Sequence, residues 1–170
     1  MRNIPKGMWF EELEPGLVVE HALTRTVTES DNVQFTVATM NPAPLHLDAD
    51  FAAATQFGKP IVNSMFTVAL VVGISVHELT HGTTVANLGF ERVTFPAPVF
   101  HGDTIHAETR VLEVKESSSK PDRGVVTVET KGFNQDGKEV CYFKRKVLIW
   151  KREFAPERKR PYDGTDVWAD

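Results

Sequence analysis

The sequence predicts an α+β domain in which an antiparallel sheet wraps around one apolar helix. Three observations lead there. Residues 65–79 run M-F-T-V-A-L-V-V-G-I-S-V-H-E-L with no charge before Glu78, so as a helix they are apolar on almost every face and must be enclosed by the rest of the domain. Strand-like runs then follow in succession, at about 83–94, 103–115, 123–133 and 138–151. A length of 170 residues, 41% of them hydrophobic, suits one domain with a substantial core.

Taken in order, residues 17–28 read as a strand after the Pro15-Gly16 turn. Thr28, Glu29, Ser30 and Asp31 open a helix, with hydroxyl caps and acids in its first turn. Val33, Phe35, Val37 and Ala38 supply its apolar positions, and Pro42 and Pro44 stop it near Met40. Asp48 caps a short helix over 49–56, which ends at Phe57-Gly58-Lys59-Pro60. Asn63 and Ser64 cap the apolar helix, and Gly82 ends it. Asn134-Gln135-Asp136-Gly137 is a hairpin turn between the last two strands, and Ser117 to Asp122 form a polar loop between the middle pair. Residues 1–152 form a single domain. Residues 153–170, charged and interrupted by Pro156 and Pro161, are expected to be an extended tail.

Composition narrows the function classes. A net charge of -4 and a pI near 5.9 give no nucleic-acid footprint. The longest apolar stretch, Met65 to Val76, falls short of the roughly 20 residues a membrane helix needs. The N-terminus has no apolar core of signal-peptide length, so a cytoplasmic protein is expected. The single Cys141 leaves no internal disulfide and no cysteine-rich zinc site, and its alternating strand context marks a half-buried packing thiol.

Three segments, in this order and spacing, resemble the MaoC-like hydratase family: T-M-N-P-A-P-L-H-L-D at 39–48, F-G-K-P-I-V-N-S-M at 57–65 and F-P-A-P-V-F-H-G-D-T at 95–104. The likeness runs through residues 15–150. It implies the hotdog fold, a homodimer with the active site at the subunit boundary, and hydration or dehydration of acyl-CoA thioesters across the α,β bond. The family's catalytic His falls on His46, and the backbone N–H that helps form its oxyanion hole falls on Ser64. Its Asp position falls on Asn41, which is a departure. A second polar position falls on Ala43, and the usual His-Gly before the helix is Asn63-Ser64. T-M-N-P-x-P-L-H-L-D, V-N-S and S-S-S-K-P-D-R-G together resemble a subgroup that includes hydratases of small branched dicarboxylic acyl-CoAs such as mesaconyl-CoA.

The chemistry fits those residue types. Hydrating an enoyl thioester requires a proton to leave water, a proton to reach the α-carbon, and stabilisation of an enolate-like oxygen. Histidine, with an ordinary pKa near 6.5, suits either proton step. A helix-start N–H suits the third requirement. Asn41 cannot take a proton, but its amide can orient water. His46 is therefore expected to move protons while Asn41 positions water or substrate. Local alternatives stay open: a loop histidine satisfying backbone groups for His46, an Asn-Pro turn for Asn41, and a helix cap for Asp48. His77 and His81 have i,i+4 spacing, but no third metal ligand is near in sequence. His101 reads as a turn residue, and His21 and His106 as surface or edge residues. Asn63, Arg92, Lys120 and Arg123 are the candidate substrate contacts, the cations for the CoA phosphates; Lys144 and Arg145 are weaker candidates. No cofactor is expected beyond the CoA of the substrate. Two other readings remain: a non-catalytic acyl-CoA-binding subunit, since Asn41 removes a proton acceptor, and a thioesterase.

Overall fold

The computed structural model describes residues 7–156. In chain order its elements are β1 (Val18–Glu20), β2 (Arg25–Thr26), α1 (Glu29–Ala38), α2 (Pro44–Leu47), α3 (Ala49–Ala53), α4 (Ser64–Leu79), β3 (Thr84–Thr94), β4 (Thr104–Glu116), β5 (Arg123–Phe133) and β6 (Glu139–Trp150). Single 3-10 turns occupy Phe10–Glu12 and Arg152–Phe154. The second runs from Arg152 into the stretch expected to be extended, at Glu153 and Phe154; residues 157–170 of that expected tail lie outside the described residues.

The sheet order is β1-β4-β5-β6-β3, antiparallel throughout, with β2 pairing β4 beside β1. Alternation explains which face is buried. Along β6, Cys141, Phe143, Arg145, Val147 and Ile149 point inward, as the two-residue period of a strand requires. Asn134 shapes the β5–β6 hairpin, its side-chain oxygen accepting from Asp136 N at 3.1 Å and Lys138 N at 3.0 Å, while Gly137 supplies the positive φ of 73°. Cys141 is fully buried rather than half-buried, and burial pushes its thiol up to about 12.

α4 packs across this inner face. The fit is tight where Val71 crosses β5: a Cβ on Gly132 would stand 2.6 Å from Val71 Cγ2. Two apolar clusters result. One joins Val62, Val68, Val71 and Ile74 to Val99, Ile105, Val140 and Phe143; the other joins Leu79 to Phe10, Val111, Val126, Val128 and Val147.

Two sequence expectations need correction. The described residues do not by themselves enclose α4: Met65 is 58% exposed and Val76 37%, and Ala69 and Gly73 on the same side are exposed. One sheet face and the segments before the helix can cover only one side of it. Residues 17–28 also do not form a continuous strand. The chain leaves the sheet between β1 and β2, and His21 turns inward, bonding Glu78 Oε2 at 3.0 Å and Thr109 Oγ1 at 2.8 Å. It is buried, not superficial. His106 is exposed, as expected.

Candidate active site

The candidate site forms where α1, α2 and the start of α4 meet. α1 starts at a reciprocal cap, with Asp31 N donating to Thr28 Oγ1 and Thr28 N to Asp31 Oδ2. Those Thr28 bonds outweigh desolvation and, with Arg25 alongside, hold the Asp31 carboxyl below its usual range. The helix ends in a Schellman arrangement: Asn41 N reaches Thr36 O and Met40 N reaches Val37 O, both at 3.0 Å. That closure puts Met40 in the left-handed region with φ 55°, a position usually taken by glycine.

The inward stripe of α1 differs from the expected one. Val33 and Val37 are 37% and 62% exposed, whereas Asn32 and Thr36 are fully buried. The reason lies in what they face. His46 sits in the one-turn helix Pro44–Leu47 and the 61–63 segment has only an isolated bridge from Ile61 to Phe100, so backbone groups there remain for Asn32 to bond. Its Oδ1 accepts from Asn63 N at 2.8 Å, and its Nδ2 lies 3.1 Å from His46 O, 3.3 Å from Ile61 O and 3.0 Å from His101 Nε2. Sequence reasoning missed Asn32. Its only signal was an amide in mid-helix, where asparagine is disfavoured unless it bonds elsewhere.

α2 is a single turn begun by Pro44, and it carries His46. Asp48 then caps α3 by accepting from Phe51 N at 3.0 Å, so it serves as the cap. His46 Nδ1 lies 2.9 Å from Ile61 O. A carbonyl can only accept, so Nδ1 carries a proton, and in the neutral ring the lone pair is on Nε2. Asn41 bonds within its own turn, its Oδ1 accepting from Ala43 N at 3.0 Å, which leaves its NH₂ as the group available to water or substrate.

Asn63 is buried and caps α4, its Oδ1 accepting from Met65 N at 3.0 Å while its Nδ2 donates to Thr36 Oγ1 at 3.4 Å. It works as scaffold. Ser64 follows as the first helical residue, and its N–H has no intrahelical acceptor. Beside it opens a cavity of about 290 Å³ lined by Ile61, Ser64, Thr67, Phe57, the 95–99 segment and Val140. No lining side chain is charged. His46 is not itself a lining residue; its bond to the Ile61 carbonyl sets it against one of them. His101 sits in the turn between Phe100 and Gly102, closed by Asp103 N to Phe100 O at 3.1 Å, and there it meets Asn32.

The candidate cations separate. Arg92 is exposed on β3, three residues from cavity-lining Phe95, with its guanidinium 5.5 Å from the Tyr142 ring. Lys120 and Arg123 lie at the opposite end of the sheet. Arg123 pairs with Trp150 in the β5–β6 register, whereas Val140 lines the cavity; at strand rise the two ends of β6 are about 33 Å apart. Arg123 is also occupied, bonding both Asp122 oxygens at 2.6 and 2.7 Å and lying 4.3 Å over the Trp150 ring. Lys120 is exposed in a broad groove beside it. Within one chain, the expected loop cluster is not at the His46 site. Among the described residues no helix is long and apolar enough to cross a membrane.

Comparison with known proteins gives the geometry its context. The profile of a family described as MaoC like domain matches residues 11–133. A mesaconyl-CoA hydratase of Cereibacter sphaeroides is 33% identical over 155 residues, 91% of this chain and 45% of that protein. A β-methylmalyl-CoA dehydratase of Chloroflexus aurantiacus is 29% identical over 147 residues, 86% of this chain and 41% of that protein. The chain thus spans under half the length of these curated relatives. A Mycobacterium tuberculosis structure described as a double hotdog fold superposes with a TM-score of 0.77 at 23% identity, covering 91% of this chain and 46% of that one. The fold is the hotdog fold.

Proposed function

This chain belongs to the MaoC-like domain family, and we propose that it hydrates a short enoyl-CoA thioester across the α,β bond, and dehydrates the product in reverse, with His46 as the proton carrier. The observation that carries this reading is the bond from His46 Nδ1 to the Ile61 carbonyl. Of the two neutral tautomers it selects the one with Nε2 free, the form a general base needs.

The residues then divide the work. As the water oxygen attacks the β-carbon, a water O–H bond breaks and its proton goes to His46 Nε2. The π electrons move toward the thioester oxygen, which the Ser64 N–H stabilises at the positive end of α4. The same Nε2 proton returns to the α-carbon, so one water is added and the imidazole ends neutral. The Asn41 NH₂ orients the attacking water. A narrow apolar cavity holds the acyl group. The mesaconyl-CoA and β-methylmalyl-CoA relatives make a short branched dicarboxylic acyl group the first to test. With no charged side chain in the cavity wall, a second carboxylate would need a cation from outside it.

We propose that two copies pair through β3. Among the described residues it bonds only β6 and leaves Leu88 52% and Phe90 41% exposed. The open stripe Met65, Ala69, Gly73, Val76 on α4 would pack across the same seam, where Gly73 leaves open space. Antiparallel β3–β3 pairing runs the two sheets in opposite directions. It therefore carries the 117–124 loop of one copy toward the site end of the other, the arrangement in which Lys120 would meet a CoA phosphate.

The test is mass spectrometry of enoyl-CoA panels, crotonyl-CoA and mesaconyl-CoA included, with protein whose solution mass is recorded by light scattering. Addition of one water to intact thioester, with a loss of 10²-fold or more for His46→Ala, is the expected result, on a species of two chains. Near-native turnover by His46→Ala overturns the assignment, and release of free CoA makes the chain a thioesterase. One observation favours a second reading, a non-catalytic acyl-CoA-binding subunit: Asn41 offers no proton acceptor and its amide oxygen is committed to Ala43. Binding without turnover of any thioester would support it.

A further inference from the structure

The other end of α4 holds a charge that the fold does not answer. Arg145, on β6, is 4% exposed. Its Nη2 donates to Ser75 Oγ at 3.1 Å, and Ser75 Oγ in turn donates to Val72 O at 2.7 Å. Its Nε has no partner among the described residues. Burial alone acts on the guanidinium, pulling it down to about 10, with no acidic group among the described residues to draw it back. The Phe143 ring, 5.8 Å from Cζ, offers a cation–π contact at the limit of its range. The carbonyls at the end of α4 are spent elsewhere: Val76 O accepts from Thr80 N and His81 N, Leu79 O from Met8 N, and Thr80 O from Thr83 N and Thr84 N.

A pocket of about 270 Å³ opens on this guanidinium, lined also by Thr80, His81, Thr84, Asn87 and Val147, with no acid in its wall. The second buried polar atom left without a partner among the described residues is Thr83 Oγ1, between two lining residues. The observation that carries weight is the buried Arg145 Nε, without a partner among the described residues, at a residue that lines this pocket. Water could satisfy an N–H there, but it would not offset a buried positive charge, which calls for an anion.

We propose that the pocket at the C-terminal end of α4 binds a small oxyanion, a carboxylate or phosphate group, received by Arg145. The fork geometry of a guanidinium matches both groups, and Asn87, Thr84 and His81 in the wall supply further donors. The site is separate from the His46 centre. Ser75 is 11 positions after Ser64 on α4, about 17 Å at helical rise, so Arg145 is not the receptor for the far carboxylate of a four-carbon acyl group held beside Ser64 of the same chain. It is a second binding site.

The test is calorimetric titration and thermal melting of the full chain with inorganic phosphate and with succinate, each against sodium chloride at equal ionic strength. Saturable binding of one equivalent per chain, with a rising melting midpoint, is expected for at least one of the two anions, and which one binds tells the sources apart. Arg145→Met, an apolar replacement of similar length, should melt no lower than the native protein and bind at least tenfold more weakly. Asn87→Asp brings a carboxylate of the chain itself to the pocket. It should weaken anion binding tenfold and raise the melting midpoint without ligand. If Arg145→Met does not fold, Asn87→Asp decides. Affinity within twofold of native in either folded variant overturns the proposal, as does the absence of saturable binding by the native protein. A shift of the dimer equilibrium by Arg145→Met, with neither anion binding, would assign the guanidinium to a carboxylate of the second copy instead. These readouts do not depend on turnover, so they stand apart from the hydratase reading.

Discussion

Replacing Asn32 by alanine tests the architecture of the site without touching a reacting group. The side chain accepts from Asn63 N at 2.8 Å and offers its NH₂ to His46 O, Ile61 O and His101 Nε2. Its residue is fully buried, as is Asn63, so the groups it leaves have little water to turn to. Stranding a buried donor or acceptor costs about 1–3 kcal/mol. Asn63 N–H is one such group, and the carbonyls of 46 and 61 keep other partners or spare lone pairs. A total near 3 kcal/mol follows, or about 6–12 °C in melting midpoint for a chain of this size. Urea unfolding of Asn32→Ala and Asn32→Asp beside the native protein measures it. The aspartate keeps the acceptor for Asn63 N but buries a carboxyl against two carbonyls, which favour its neutral, donating form. Its folded pKa is therefore raised. The folded state then holds the extra proton, and stability should fall as pH rises above about 4, by up to about 1.4 kcal/mol per pH unit, until the raised value is passed. A loss below about 0.5 kcal/mol in Asn32→Ala, or an Asn32→Asp whose stability is flat with pH relative to native, would refute the hub.

Two further outcomes follow from the packing and from the buried pair at His21. Gly132→Ala places its Cβ 2.6 Å from Val71 Cγ2, so it should lose about 1–3 kcal/mol by overpacking, and Val71→Ala in the same chain should return part of that loss in a double-mutant cycle of unfolding free energies. Burial raises the Glu78 carboxyl, but bonds from His21 and Ala22 N outweigh it and leave the pKa below its ordinary 4.5. A depressed carboxylate contributes stability above its unfolded pKa and loses it as pH falls through the folded value. The native melting midpoint should therefore drop more steeply than that of Glu78→Gln between about pH 5 and pH 3; parallel acid limbs would show that the pair does nothing.

The regular half of the molecule was legible because its signals are collective. β5 has the expected bounds, and α4 starts at the residue whose cap was read, because alternation and uniform apolarity average over many positions. The irregular half was not. α2 is one turn, too short for any periodicity to register. α1 was oriented by its valines, yet its amide and hydroxyl point inward. Hydropathy ranks Val37 above Asn32, but the neighbouring loops need hydrogen-bond partners more than they need methyl groups. The same blindness hid His21, whose inward turn depends on Glu78, which lies 57 residues away in sequence. For Lys120 and Arg123 the sequence showed cations in a loop, but not that β6 separates them from Ser64.

The way His46 is held bears on how the chemistry must run. A carboxylate behind Nδ1 would stabilise an imidazolium and make Nε2 a stronger base; a backbone carbonyl contributes only a dipole. Ile61 O is neutral, and Asn41 replaces a carboxylate with an amide. Among the described residues at this site, then, the positive charge that His46 would acquire in the proposed reaction would be answered mainly by the negative charge growing on the substrate's own thioester oxygen. That couples the two charges in time. In that proposed reaction, proton transfer to Nε2 and enolate formation under the Ser64 N–H would have to advance together, because either one alone would leave an uncompensated charge beside an apolar cavity. The ring can then hand its proton straight to the α-carbon, which removes both charges at once. A site built this way depends on position more than on charge, and position is what the Asn32 bonds and the Asn63 cap provide.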